Sequence, residues 1–317
     1  MLRASFMVGL VDGAQPSLPP ADDPEQESSH QLQSVRARAA ECAHTAAGLR
    51  DVILPGRVDS GDLPYASIAV RSVPARSVPA GVTTGLGGDW HEAVRLPDGR
   101  LFLAVGDVSG HGEPAIDKMT RLRRALRGLS MSGDSPGLLL ARLNTLVLDG
   151  FADTTATVVC GHLDPATRRL SWAQAGHPAP ILVRRGSARQ LAAPAGVVLG
   201  ATANPPYGMA ELRLAPGDLL LMFTDGLVER RDRDIGEGVS LALHGAEEIT
   251  GEKSTGGDRR GSGPETAPAP GRDTGSDAGP GTRFDAGFDA RLDRFVAAMG
   301  GPDPEDDVCL LAVRVTG

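Results

Sequence analysis

Four apolar runs in this chain each have an aspartate near one end, and that repetition constrains the fold more than any other feature. Val94 to Leu96 and Leu101 to Val105 are strand-like runs joined by Pro97-Asp98-Gly99-Arg100, whose proline and glycine suit a hairpin turn. Such a hairpin sets Asp89, ahead of the first run, and Asp107, after the second, at one edge of a sheet. Leu219 to Phe223 runs into Thr224-Asp225-Gly226, and Asp306-Asp307 leads into Val308 to Val313. Aspartates beside glycine are common in ordinary turns. Carboxylates at the ends of several buried strands are harder to explain that way, because burying them unpaired is costly and they converge only around something cationic. The neighbouring glycines leave the backbone open to a close approach. An all-oxygen donor set beside bare backbone is what a hard divalent cation requires.

The rest of the chain reads as alternating strands and paired helices. Ile68 to Val73 is the first core strand; Thr154 to Leu163, Arg169 to Ala175 and Ala179 to Val183 follow as successive strands, with reversals at Asp164 to Thr167 and Gly176 to Pro178. Leu212 to Leu214 and Asp218 to Thr224 read as another pair, joined by Ala215-Pro216-Gly217. A helix begun by Pro114 carries Ile116, Met119, Leu122, Ala125, Leu126 and Leu129 on one face. A second, from about Ser135, carries Leu138, Leu139, Leu143, Leu146 and Val147; further helices are expected at 237 to 250 and at 284 to 299, the last with Phe288, Leu292, Phe295 and Val296 inward. Hairpin-linked strands with helices intervening in pairs predict an α+β fold of two packed antiparallel sheets flanked by helices.

Outside that body, residues 1 to 30 read as a flexible tail rich in proline and acids. Residues 31 to 54 read as a helix with a seam at Leu32, Val35, Ala39, Cys42, Ala46, Leu49 and Ile53, which packs on the domain or forms a homodimer contact. The domain itself spans 55 to 317, with Pro74 to Gly81 as a surface loop. Residues 251 to 283 are dominated by Gly, Pro, Ser, Thr and Asp and are expected to be a disordered insertion.

Gly87-Gly88-Asp89-Trp90, Gly106-Asp107-Val108-Ser109-Gly110-His111-Gly112, Ala175-Gly176-His177-Pro178, Gly217-Asp218 with Thr224 to Glu229, and Asp306-Asp307-Val308 stand in the order and spacing of the SpoIIE-type bacterial serine/threonine phosphatases. The chain resembles that group, a branch of the metal-dependent (PPM, type 2C) protein phosphatases, from about Leu49 to Val315, apart from the insertion. The resemblance implies the PPM αββα sandwich and a centre holding two divalent cations, Mn2+ or Mg2+, that activate water for attack on phosphoserine or phosphothreonine. By residue, it implies that Asp107 bridges the two metals with the Val108 carbonyl as a further ligand. Asp225 and Asp306 ligate the second metal, and Asp89 lies close to the first and is catalytic together with Asp107. Asp307 ranks behind Asp306. Glu92 stands where the family usually has Asp, which makes it a candidate metal or water contact, and His111, two residues beyond the place of the general acid in eukaryotic relatives, is a candidate acid. His177 more readily supports a turn. Ser109 is not expected to be a nucleophile, since no Gly-x-Ser-x-Gly elbow is present.

The resemblance further implies a substrate among phosphorylated anti-anti-sigma (STAS) proteins, in a partner-switching pathway that regulates a sigma factor. No sensor, kinase or substrate domain is recognisable, so substrate and regulator are expected to act in trans. A net charge of -8 disfavours a nucleic-acid partner and with it a metal-dependent nuclease. Three separate cysteines, Cys42, Cys160 and Cys309, and no apolar run long enough to span a bilayer lead to a reducing, cytoplasmic setting without membrane insertion. The competing reading is a catalytically idle phosphoprotein-binding regulator on the same fold; because the four principal carboxylates are all present, the enzyme is expected.

Overall fold

Strand β9 (Leu219–Phe223), reading Leu-Leu-Leu-Met-Phe, is buried at every position. It can be so only if both faces of its sheet are covered, since successive side chains point to opposite faces. Leu220 and Met222 enter the cluster between the two sheets, while Leu219, Leu221 and Phe223 enter a second cluster beneath a helical layer. The computed structural model describes Leu63 and residues 65–73, 87–151, 153–230, 233–250, 286–299 and 306–316. All of these fall in the second of the two units into which contacts divide the chain, Ala43–Gly317. The expected tail, the helix at 31 to 54, the Pro74 to Gly81 loop and the insertion at 251 to 283 lie outside the described residues.

One sheet has the order β1 (Ala66–Val73), β10 (Val308–Val315), β9, β6 (Ile181–Arg184) and β7 (Ser187–Gln190). The other has the order β2 (Trp90–Arg95), β3 (Leu101–Val108), β4 (Ala156–Asp164), β5 (Arg169–Ala175) and β8 (Ala210–Arg213). Every pairing within them is antiparallel. Helices α1 (Glu113–Ser130) and α2 (Pro136–Gly150) cover the second sheet, where Met119, Leu122, Leu126, Leu139, Leu140 and Leu143 pack on Trp90, Phe102 and Val158. Helices α3 (Ile235–Thr250) and α4 (Ala286–Ala298) cover the first, through Ala242, Ala246, Phe288, Leu292 and Phe295. Between the sheets lies an aliphatic layer of Ile68, Leu103, Val105, Val159, Leu182, Leu311 and Val313, with Trp172 in it. The two-sheet, helix-flanked architecture expected from the sequence is the one observed.

Three expectations are corrected. Leu212 to Leu214 and Asp218 to Thr224 do not form a hairpin: β8 pairs with β5 and β9 with β10 and β6, so Ala215-Pro216-Gly217 carries the chain from one sheet to the other. The reversal at Gly176 to Pro178 is likewise a crossing between sheets, from β5 to β6. Leu138 and Leu146 are not core residues; each is 42% exposed on the outer side of α2. Among the described residues no helix is long and apolar enough to cross a membrane, and Cys160 and Cys309 are buried.

Candidate metal centre

The Asp89 and Asp107 ends of the β2–β3 hairpin meet because Trp90 pairs with Gly106 across it. The Gly88 carbonyl accepts from the Val108 N–H at 3.2 Å, which extends the contact one step past the strands. On the other sheet, β9 and β10 are antiparallel neighbours, so the end of the first, Asp225, and the start of the second, Asp306-Asp307, share an edge. The sandwich superposes these two edges. Thr224 joins them: its Oγ1 donates to Asp89 Oδ2 at 2.6 Å and accepts the Cys309 N–H at 2.8 Å.

The electrostatics follow from that convergence. Asp89 is held well above the ordinary carboxylate range by burial and by the charge of Asp107, against the opposing hydrogen bond from Thr224. Asp107 is pushed up to about 7 by burial, then by Asp225, Asp306 and Asp307, while a side-chain hydrogen bond with Asp89 works the other way. Asp306 rises to about 6 through burial and Asp225, although the Asp307 N–H donates to its Oδ1 at 2.9 Å. Like charges disfavour one another's ionised forms, and neither Arg nor Lys is among the causes that move any of the three. A perturbed group of this kind in a cleft marks a functional site more often than a structural one.

The cradle is built for close approach. A Cβ on Gly88 would stand 2.0 Å from the Val108 carbonyl oxygen and 2.5 Å from Asp107 Oδ1, and one on Gly87 1.8 Å from Asp307 Oδ2. At Gly226 it would stand 2.1 Å from the Asp307 carbonyl oxygen and 3.3 Å from Asp306 Cγ. Only glycine leaves these oxygens their room. The donor set is therefore carboxylate and carbonyl oxygen, the chemistry of Mg2+ or Mn2+. Among the described residues no three His, Cys, Asp or Glu groups are already drawn into a ligating arrangement. The chemistry of the residues fits divalent cations.

Asp89, Asp107, Val108, Asp225, Asp306 and Asp307 are thus brought together. Glu92 is not. It alternates with Trp90 onto the helix side of β2, where it is fully buried and accepts from Arg123 Nε at 3.0 Å and Arg127 Nη1 at 2.9 Å. His111 lies at the rim, exposed, bridged through its backbone to Gly87. Ser109 is at the same rim and donates to the Thr155 carbonyl at 2.9 Å. His177 is buried between the sheets. Its Nε2 donates to the Phe223 carbonyl at 3.0 Å, which leaves Nδ1 to accept from Thr157 Oγ1 at 2.8 Å. The Gln174 Oε1 accepts the His177 N–H at 3.0 Å, so this histidine braces the crossing from β5 to β6 and not a turn within one sheet. Two residues were not singled out from the sequence: Thr224, whose hydroxyl next to a motif aspartate was the available signal, and Glu229, whose charge helps raise Asp306.

A family model described as Stage II sporulation protein E (SpoIIE) matches residues 97–255. The chain is 26% identical over 166 residues to phosphoserine phosphatase RsbU of Bacillus subtilis (strain 168), across 52% of this chain and 47% of that protein. It is 28% identical over 187 residues to protein IcfG of a Synechocystis species, across 50% of this chain and 28% of that one. The chain thus spans less than half the length of either relative. Among solved structures, that of the RsbU and RsbW domains of Rv1364c from Mycobacterium tuberculosis is similar with a TM-score of 0.61 at 28% identity, covering 80% of this chain and 60% of that one. The SiaA-PP2C domain of Pseudomonas aeruginosa is similar with a TM-score of 0.60 at 17% identity, covering 89% and 98%, a likeness of fold alone.

Proposed function

The chain belongs to the SpoIIE family, and from that premise we propose that it is a metal-dependent protein phosphatase acting on phosphoserine or phosphothreonine. The observation that carries the reading is the gathering of Asp89, Asp107, Asp225, Asp306 and Asp307 at the shared edge of two sheets, with three of them raised by burial and by one another. Asp107, the Val108 carbonyl, Asp225 and Asp306 would hold two divalent cations, Mn2+ or Mg2+, with Asp89 beside the first and Asp307 behind Asp306. Such cations, when bound, supply activation of water and neutralisation of charge on the phosphoryl oxygens.

The chain's own residues prepare that chemistry. Thr224 orients Asp89 and favours its ionised form through the 2.6 Å hydrogen bond. Raised carboxylates release protons on meeting a cation, because only the ionised form is a ligand. Gly87, Gly88 and Gly226 keep side-chain bulk out of the cradle.

As substrate we propose a phosphorylated STAS-type anti-anti-sigma protein, which places the enzyme in sigma-factor regulation; the similarity to RsbU, named a phosphoserine phosphatase, supports the phosphoserine half of this. The competing reading is a regulator on the same fold that binds phosphoprotein without turnover. The experiment is hydrolysis of a phosphoserine peptide and of phosphorylated STAS proteins, with Mn2+ and with chelator, by the wild type and Asp107→Asn. Mn2+-dependent release lost in Asp107→Asn is expected. Binding without turnover selects the regulator, and equal activity in Asp107→Asn removes the metal reading.

A further inference from the structure

An arginine enclosed by protein needs acceptors for its N–H groups, because burying a charged donor without a partner costs more than any neutral one. Both Nε and Nη2 of Arg233 are closed off from solvent and have no hydrogen-bond partner. Those two atoms form the edge of the guanidinium that grips a carboxylate or phosphate with two parallel hydrogen bonds. Arg168 shares the condition at Nε alone, whereas Arg71, Arg100, Arg121, Arg123, Arg127, Arg142, Arg169 and Arg184 are all in ion pairs.

The position of Arg233 ties it to the acidic cradle. The stretch that holds it grows directly from the ligand-bearing turn: the Asp225 carbonyl accepts the Val228 N–H at 2.8 Å and the Glu229 N–H at 2.7 Å. Glu229 is near enough to Asp306 to raise it. Arg230 then pairs with Arg233 in an isolated antiparallel bridge, the Arg233 N–H meeting the Arg230 carbonyl at 3.3 Å. One virtual bond and one strand spacing put the Arg233 Cα within about 10 Å of the Glu229 Cα. The described residues on either side are held in place, since Arg230 Nη1 donates to the Met299 carbonyl at 3.0 Å and Asp234 Oδ1 caps α3 by accepting the Glu237 N–H at 2.9 Å. Arg233 as a whole is half-buried, and receiving a ligand on the closed edge would require its side chain to rotate outward.

We infer that Arg233 receives an oxyanion of the incoming phosphoprotein on its Nε–Nη2 edge and is a specificity-determining residue of the site; the inference rests on the phosphatase reading. A chain of net charge -8 repels an acidic phosphoprotein at a distance. An unpartnered guanidinium edge on the stretch that follows the ligand-bearing turn offers a short-range attraction to a group able to fill it. The oxyanion is either the phosphoryl group itself or a carboxylate flanking it.

The test is equilibrium binding to the full chain, in Mn2+, of two serine-phosphorylated peptides, one with acidic and one with neutral flanks, and of inorganic phosphate, for wild type, Arg233→Ala and Arg233→Lys. Arg233→Ala is expected to weaken the acidic peptide about tenfold, with Arg233→Lys recovering little of it because an ammonium lacks the two-pronged edge. A loss shared by the neutral peptide and by phosphate assigns the phosphoryl group; a loss confined to the acidic peptide assigns the carboxylate. Unchanged binding of all three probes by a folded Arg233→Ala, or by Arg233→Lys should the alanine variant fail to fold, overturns the inference. Hydrolysis of the same peptides by the wild type is scored separately: its absence sinks the phosphatase reading and leaves the binding result to stand or fall by itself.

Discussion

Thr224 Oγ1 lies 2.6 Å from Asp89 Oδ2 and 2.8 Å from the Cys309 N–H, so one hydroxyl fastens an aspartate of one sheet to the backbone of the other. Thr224→Val keeps the shape, strips the donor from a buried carboxylate and orphans a buried N–H. Leaving such groups unsatisfied costs about 1–3 kcal/mol. The hydrogen bond also lowers the Asp89 pKa, so its loss raises the proton's hold on a group that must ionise to ligate. Mn2+ affinity by calorimetry is expected to fall in Thr224→Val, more at pH 6.5 than at pH 8, and Thr224→Ser is expected to restore most of it.

The aspartates set stability against function. The folded-state pKa of Asp107 is raised, to about 7, so its contribution is present below the unfolded value of 3.8 and is lost as pH rises through 7. In chelator, the stability of Asp107→Asn relative to the wild type is therefore expected to rise as pH increases across that window, read as the difference between their urea midpoints. At pH 8 without metal the variant should be the more stable protein, and with saturating Mn2+ the order should reverse, because the ligand stabilises only the form that binds it. Identical pH profiles for the two proteins would remove the like-charge account of this site.

How much of this was legible in the sequence depends on how local the signal was. Asp89 and Asp107 could be matched because a four-residue turn fixes the hairpin register, and the Trp90–Gly106 pairing follows from it. Asp225 and Asp306 could be placed because each adjoins a strand buried on both faces. The β8–β9 hairpin was misread because Ala215-Pro216-Gly217 has the chemistry of a tight turn, and nothing local tells a turn within a sheet from a crossing between two. The better clue was that Ala210 to Arg213 alternates exposed and half-buried positions while Leu219 to Phe223 is uniformly apolar. Strand β7 went unseen because Ser187-Ala188-Arg189-Gln190 has no apolar period and is an edge strand fixed by its neighbour β6. Arg233 carried no sequence signal at all, since an unpartnered edge is a property of the packed molecule.

Glu92 shows a signal that was present but outweighed by its motif position. Period-two alternation puts it with Trp90 on the helix side, and Arg123 and Arg127, four apart on α1, share one helix face. With its side chain 1% exposed between those arginines, Glu92 acts as an anchor for α1. Glu92→Ala leaves Arg123, itself only 10% exposed in its side chain, without its counter-charge. Breaking a buried pair in this way costs about 3 kcal/mol; Arg127, 48% exposed, adds little. Expected is a large fall in the urea midpoint with Mn2+ affinity unchanged in the folded fraction. A tenfold weaker Mn2+ site at unchanged stability would return Glu92 to the metal centre.

His177 supplies the acid limb of stability. Burial depresses its pKa from 6.5 to about 3, against a smaller opposing push from the Phe223 carbonyl, and His91 and His162 are lowered to about 4, again mainly by burial. A histidine kept neutral in the fold takes up its proton on unfolding, so its contribution is complete above pH 6.5 and drains away as pH falls toward 3. This slope has the opposite sign to that of the aspartates, which gives the metal-free protein a stability maximum at mildly acidic pH. His177→Gln removes one titrating group from the pathway while retaining a donor and an acceptor between Thr157 and Phe223. Its urea midpoint is expected to fall at pH 7.5 through imperfect hydrogen bonding, and between pH 6.5 and pH 4 to depend on pH less steeply than the wild type by about one proton. Parallel acid limbs for the two proteins would mean that His177 is protonated in the fold, and its link between Thr157 and Phe223 would then need a different proton arrangement.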